Sequence, residues 1–203
     1  MVKNLLLTLT VFFIAAFHLH AQEFNGGFLA GVSASEISGD RLEGPNKPGV
    51  YAGAFVNRYF TERSSLQMEL NFVQKGSRNL DTSLVYKNMD YLLRLNYVEI
   101  FLHYKWDFGS RFTLESGTSL GVLLNKPPYE VAGGIVRTEP PFQSTDLSFN
   151  IGLFVALTER WQFNVRYSNS ILAVRPHSSG QTYRWNRGQY NEVLSFTFHY
   201  TFR

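Results

Sequence analysis

The run LSFTFHYTFR, Leu194 to Arg203, changes character at every residue. Leu194, Phe196, Phe198, Tyr200 and Phe202 fall on one side of an extended chain, and Ser195, Thr197, His199, Thr201 and Arg203 on the other. Successive side chains of a β-strand point to opposite faces, so this segment has one apolar and one polar face. The pattern recurs upstream. Leu66, Met68, Leu70 and Phe72 alternate with Gln67, Glu69 and Asn71; Val98, Ile100, Leu102, Tyr104 and Trp106 alternate with Glu99, Phe101, His103 and Lys105. Leu147, Phe149, Ile151, Leu153, Val155 and Leu157 alternate with Ser148, Asn150, Gly152 and Ala156, and Trp161, Phe163, Val165 and Tyr167 with Gln162, Asn164, Arg166 and Ser168. Phe112 to Leu124 alternates more weakly, with Glu115, Gly117, Ser119 and Gly121 on its small, polar side. Two further strands, near Phe24 to Ser35 and Gly49 to Phe60, are rich in Gly and Ala, which leaves their facing open.

Eight strands of about ten to thirteen residues each are long enough to cross a bilayer when tilted. Their connections alternate in length. Short turns fall near Thr61 to Ser64, Asp107 to Arg111 and Thr158 to Arg160; long polar connections fall near Glu36 to Pro48, Arg78 to Tyr91, Asn125 to Thr145 and Val174 to Gln189. Short turns on one rim and long loops on the other are the layout of an up-and-down transmembrane β-barrel. With an even strand count both chain ends belong to the short-turn rim, which should be periplasmic, leaving the long loops extracellular. A soluble β-sandwich also alternates, but it would have to bury rows that end in Tyr and Trp. In a barrel, Tyr59, Trp106, Trp161 and Tyr200 sit at strand ends as membrane-interface aromatics.

Composition supports this reading. Aromatic residues make up 16% of the 203-residue chain, high for a soluble domain. Cysteine is absent, which excludes disulfides, thiolate metal sites and cysteine nucleophiles. A net charge of +3 with no basic run argues against nucleic acid as a partner. Lys3 followed by the apolar stretch Leu5 to Phe17 has the form of an export signal, with cleavage after Ala21. Residues 1–21 are therefore expected to be a signal peptide and residues 22–203 one outer-membrane β-barrel domain, all-β and eight-stranded.

The inward face carries Glu69, Glu99, Glu115, His103, Lys105, Arg166 and His199. An eight-stranded barrel is just wide enough for side chains to fill. Charges there must pair, because unpaired buried charge is very costly, and the planar fork of Arg166 can satisfy two carboxylates. A polar plug closing the lumen is the expected role of this set, and a gated ion path is the alternative. No catalytic residues are assigned: His177, Ser178 and Ser179 adjoin in the last long loop without an oriented acid or oxyanion device. No metal site or cofactor is expected, as no close Glu/His pair has ligand spacing. The long loops carry Arg41, Lys47, Lys87, Lys126, Arg137, Arg175, Arg184 and Arg187 among Tyr and Trp residues. Such groups suit the phosphates of lipopolysaccharide, or a protein partner. Phe196, Phe198, Tyr200 and Phe202 form a C-terminal strand suited to recognition by the barrel-assembly machinery.

The segments LQMELNFVQKG (Leu66 to Gly76), LNYVEIFLHYKW (Leu95 to Trp106), the FNVRYSNSI run (Phe163 to Ile171) and the closing LSFTFHYTFR resemble the PorT-like outer-membrane β-barrel family of Bacteroidetes. The resemblance covers most of the mature chain. Phe101 departs from it, because the family commonly has Pro there and hence a bend in the fourth strand. The family implies an outer-membrane location, and one member type takes part in type IX protein secretion. The leading expectation is a non-enzymatic structural or assembly component of the envelope, with a secretion complex as one setting. Surface-loop binding or adhesion, and a narrow gated channel, are the alternatives.

Overall fold

The computed structural model describes residues 24–39, 44–79, 91–125, 129–132, 135–136, 140–177 and 188–202. The expected signal peptide lies outside them, as do Arg41, Lys87, Lys126, Arg137, Ser178, Ser179, Arg184, Arg187 and Arg203. No helix is long and apolar enough to cross a membrane, a finding that does not bear on strands.

The strands are β1 (Phe24–Ser38), β2 (Lys47–Tyr59), β3 (Ser64–Arg78), β4 (Tyr91–Phe108), β5 (Phe112–Leu123), β6 (Tyr129–Ala132), β7 (Ile135–Val136), β8 (Thr145–Ala156), β9 (Trp161–Ser170) and β10 (Tyr190–Thr201). Eight of them form a closed antiparallel ring in the order β1, β2, β3, β4, β5, β8, β9, β10, and β10 pairs back onto β1. Closure satisfies the backbone groups that an open edge would leave bare. The short β6 and β7 are not barrel strands. They lie in the third long connection, and β6 pairs with the outer end of β4, Tyr91–Arg94. Two-residue alternation in such short pieces is too brief to read from sequence. β4 runs unbroken through Phe101, whose ring is buried in the lumen.

The alternation sorts the faces as the rows demand. Leu66, Met68 and Leu70 face out beside Gln67, Glu69 and Asn71 facing in, and the other rows behave alike. The structure also fixes the facing of the first two strands: odd-numbered Leu29, Ser33, Ser35, Tyr51, Phe55 and Asn57 point inward, while Phe28, Val32, Val50 and Val56 point out. On β3 the outward row is apolar between the flanking polar residues Ser64 and Gln74. Those ten steps cover ~33 Å of strand, or ~25 Å across a bilayer at a tilt of about 40°, the height of an outer-membrane apolar band.

β4 is a ruler for the lumen. From the long-connection rim to the short-turn rim its inward residues are Leu93, Leu95, Tyr97, Glu99, Phe101, His103 and Lys105. The first three pack with Ile37 and Leu123, against Tyr91 and Phe142, into an apolar layer. Deeper, Phe101 joins Leu29, Tyr51, Phe55 and Val73 in a second apolar cluster. At this rim the Gln143 N–H donates to the Val174 C=O, and Val174 is fully buried.

Candidate functional site

Three of the charged lumen residues are held by strands that are not neighbours in the ring. Arg166 comes from β9, Glu69 from β3 and Glu115 from β5. The Arg166 Nε donates to Glu115 Oε1 at 2.8 Å, and Nη2 donates to Glu115 Oε2 at 2.9 Å and to Glu69 Oε1 at 2.7 Å. Nη1 donates to Glu69 Oε2 and to the Tyr51 hydroxyl, both at 2.8 Å. A guanidinium has five N–H donors, and all five are used. Each carboxylate receives a two-point fork, and the Phe101 ring lies 5.1 Å from the guanidinium carbon.

Side-chain amides donate to the same carboxylates. Asn71 and Gln67 each donate to Glu69 at 2.7 Å, and Asn164 donates to Glu115 at 2.8 Å. The Lys105 Nζ donates to Gln67 Oε1 at 2.9 Å and sits 3.7 Å from the centre of the Phe154 ring. Lys105 is thus linked to Glu69 through the Gln67 amide. His103 Nδ1 lies 3.2 Å from Glu115 and 3.8 Å from Glu69.

Glycines on the inner wall make this layer fit. A Cβ on Gly152 would come within 2.3 Å of Glu115 Oε1, and one on Gly117 within 2.6 Å of the His103 ring.

The expected charge set does not form one cluster. Glu69, Glu115, Arg166, His103 and Lys105 meet, but Glu99 lies closer to the long-connection rim and pairs with Lys75. Lys75 also donates to Asp146 Oδ2 at 2.9 Å, and Asp146 further accepts from Ser148, Ser170 and Asn191. His199 makes no ion pair among the described residues. It shares a 3.0 Å hydrogen bond with Thr197 and lies between the rings of Phe55 and Phe154. Sequence reasoning missed Lys75, Asp146, Tyr51 and the three amides. Lys75 continues the inward row of Glu69 and Asn71, and Asp146 that of Ser148, so extending each row by a few residues would have found them.

Sequence spacing gave no hint that Glu69, His103 and Glu115 bring ligand atoms within 4.8 Å of one another. This trio has the donors for a cation, but the Arg166 guanidinium already fills the space between the two carboxylates. Tyr59, Trp106, Trp161 and Tyr200 lie on the outer face of the short-turn rim. The Tyr59 hydroxyl donates to Asp107 at 3.1 Å, and Trp161 packs on Tyr200 at 5.0 Å. The outward row of β10 packs on its neighbours, Phe198 against Phe163 and Phe202 against Phe28.

A closed antiparallel ring with an apolar outer band, a polar packed lumen and short and long connections on opposite rims defines a transmembrane β-barrel of the outer-membrane kind. Residues 20–202 match the outer membrane protein beta-barrel domain family, and the chain belongs to that family. Its fold is similar to that of Ail, the attachment invasion locus protein of Yersinia pestis, with a TM-score of 0.51 and 13% identity over 89% of this chain and 99% of that one. It is also similar to Neisserial surface protein A, with a TM-score of 0.52 and 13% identity over 87% of this chain and 97% of that one. No curated protein sequence matches it.

Proposed function

We propose that the chain is a sealed, structural barrel of the bacterial outer membrane that works through its outer face and long connections. The observation that carries this reading is the Arg166 layer, in which every guanidinium N–H is committed to a side chain of a strand that does not adjoin β9. A hydrated ion could pass only by parting Arg166 from two carboxylates and crossing the apolar layer of Leu93, Leu95 and Tyr97. The charged residues are thus braces of the wall, and neither catalysis nor transport is assigned to them. Both ends of the barrel lie on the short-turn rim, which supports periplasmic termini and extracellular long connections. The outward aromatic row of β10 suits handling by the barrel-assembly machinery.

Within the envelope, the likeness to PorT-like sequences favours a place in a secretion or assembly complex. Two measurements test these statements. In a planar bilayer the purified barrel should show no steady single-channel current; a stable large conductance would remove the sealed reading. Deleting the gene should change the set of secreted or surface proteins, and an unchanged set would remove the secretion role.

One feature favours surface binding as a second reading. β6 and β7 extend the sheet beyond β4 on the long-connection rim. That the Ail structure is named for attachment and invasion fits this reading. Loss of host-cell or matrix adherence on replacing residues 126–139 with a short Gly/Ser linker would support it.

A further inference from the structure

Lys47 is a buried cation with no carboxylate partner among the described residues. It opens β2 at the long-connection rim and is only 4% exposed. Among the described residues its ammonium makes one hydrogen bond, a 3.4 Å contact to the carbonyl of the adjacent Pro48. An ammonium has three donors, and taking one out of water without a partner is costly. Its stem crosses Gly76, where a side chain could not sit: a Cβ there would be 2.9 Å from Lys47 Cδ and 2.1 Å from the Leu93 carbonyl, at a φ of +133°.

Lys47 lines a cavity of about 400 Å³ together with Gln74, Arg78, Asn79, Tyr91 and Arg94. The described lining therefore holds three cationic residues and no carboxylate. Its depth follows from the strands. Arg78 ends the outward row that runs Leu66, Met68, Leu70, Phe72, Gln74, and Arg94 stands opposite Gly76 on β4, past Val98 and Asn96. The cavity thus begins where the apolar band stops, at the level of lipid headgroups.

We infer that this cavity between β2, β3 and β4 binds the phosphate of a phosphorylated glycolipid in the surrounding leaflet. Arg78 offers a planar fork suited to phosphate oxygens, Arg94 adds a second guanidinium to the lining, and Lys47 supplies a point charge from behind. The acyl chains of such a lipid would run down the neighbouring outer face, over Phe72, Val50 and Val98. The volume is in the range of small-molecule sites and leaves room for a sugar beside the phosphate. The assignment of the glycolipid leaflet rests on the proposed outward orientation of the long connections. The site itself can be tested without it, because a nanodisc presents the same lipid on both sides.

The full mature barrel is refolded into phospholipid nanodiscs containing bis-phosphorylated lipid A or its dephosphorylated form, and retained lipid is counted by native mass spectrometry. Wild type should retain the phosphorylated form at least tenfold over the other. Lys47→Met with Arg78→Gln and Arg94→Gln should bring the ratio near one, with folding checked by heat-modifiable gel migration. The double variant Arg78→Gln with Arg94→Gln, which leaves the buried position untouched, should lower the ratio at least threefold. Arg63→Gln with Arg111→Gln and Arg160→Gln, an equal loss of charge in the exposed turns of the opposite rim, should leave it unchanged. Equal retention of both lipids by wild type, or an unchanged ratio in the folded cavity variants, would overturn the site. Glucosamine 1-phosphate displacing the lipid at equal concentration would overturn its assignment to a lipid. None of these outcomes depends on conductance or secretion, so the site and the sealed reading fail separately.

Discussion

Arg166 concentrates the cost and the benefit of filling a narrow barrel with charge. Two carboxylates and a guanidinium in a packed lumen are held at a large desolvation penalty, offset by five hydrogen bonds and their mutual attraction. Removing one partner exposes that penalty. Arg166→Ala should lower unfolding stability in urea by about 3–5 kcal/mol, the range for breaking a buried pair. Arg166→Met combined with Glu69→Gln and Glu115→Gln should recover a large part of it. The same single substitution empties the space between Glu69, His103 and Glu115, whose ligand atoms lie within 4.8 Å. Zinc should then raise the unfolding midpoint of Arg166→Ala and leave wild type unmoved; no shift in the variant would show that the trio cannot close on a metal. Gly152 is held to the same standard of space. Gly152→Ala puts a Cβ against Glu115 and should cost about 1–3 kcal/mol, as overpacking does, read from the same urea curves.

At the scale of the strand, the two-residue period carries most of the information. Rows such as Leu66 to Phe72 or Phe149 to Leu153 could be assigned to lipid or lumen from sequence because polarity and direction coincide. β1 and β2 could not, for a visible reason. Their inward positions include Gly27, Gly31, Gly49 and Gly53, and their outward ones Ala30, Ala34, Ala52 and Ala54, so small residues stand on both faces and polarity gives no contrast. The cross-lumen pairings were legible only as a pool of candidates. Which carboxylate meets Arg166 depends on the stagger between strands far apart in the ring, and no local pattern records it; hence Glu99 was grouped with Arg166 although it serves Lys75. The outer rows yield a sharp test. Leu70 lies mid-band between Ala54 and Ile100. Leu70→Arg should destabilise the barrel in lipid vesicles by about 2–4 kcal/mol, the cost of Arg near the midplane. A cost near zero would mean that this face does not meet hydrocarbon.

The whole molecule is held by one long seam as much as by any side chain. β1 and β10 pair from Gly27 opposite Thr201 to Ser38 opposite Tyr190, so the strand made last completes the wall begun by the first. Without residues 190–203, β1 and β9 would each be left with a bare edge. That truncated chain should give no heat-resistant folded band and should aggregate on refolding, whereas a folded band would mean that seven strands can close by themselves. The seam also makes the wall a loop with no privileged beginning. Phe202 donates its N–H to Gly26 C=O on the rim where β1 begins, so a short linker could join Phe202 to Phe24 and the chain could be cut instead at Glu62, in a turn on the same rim, with every neighbour relation kept. Cutting between β1 and β2 would preserve the same neighbours, yet both new ends would have to travel through the bilayer to reach their places. The two permutants share one set of contacts and differ only in what must be carried across, so the first should refold into vesicles from one side and the second should stall.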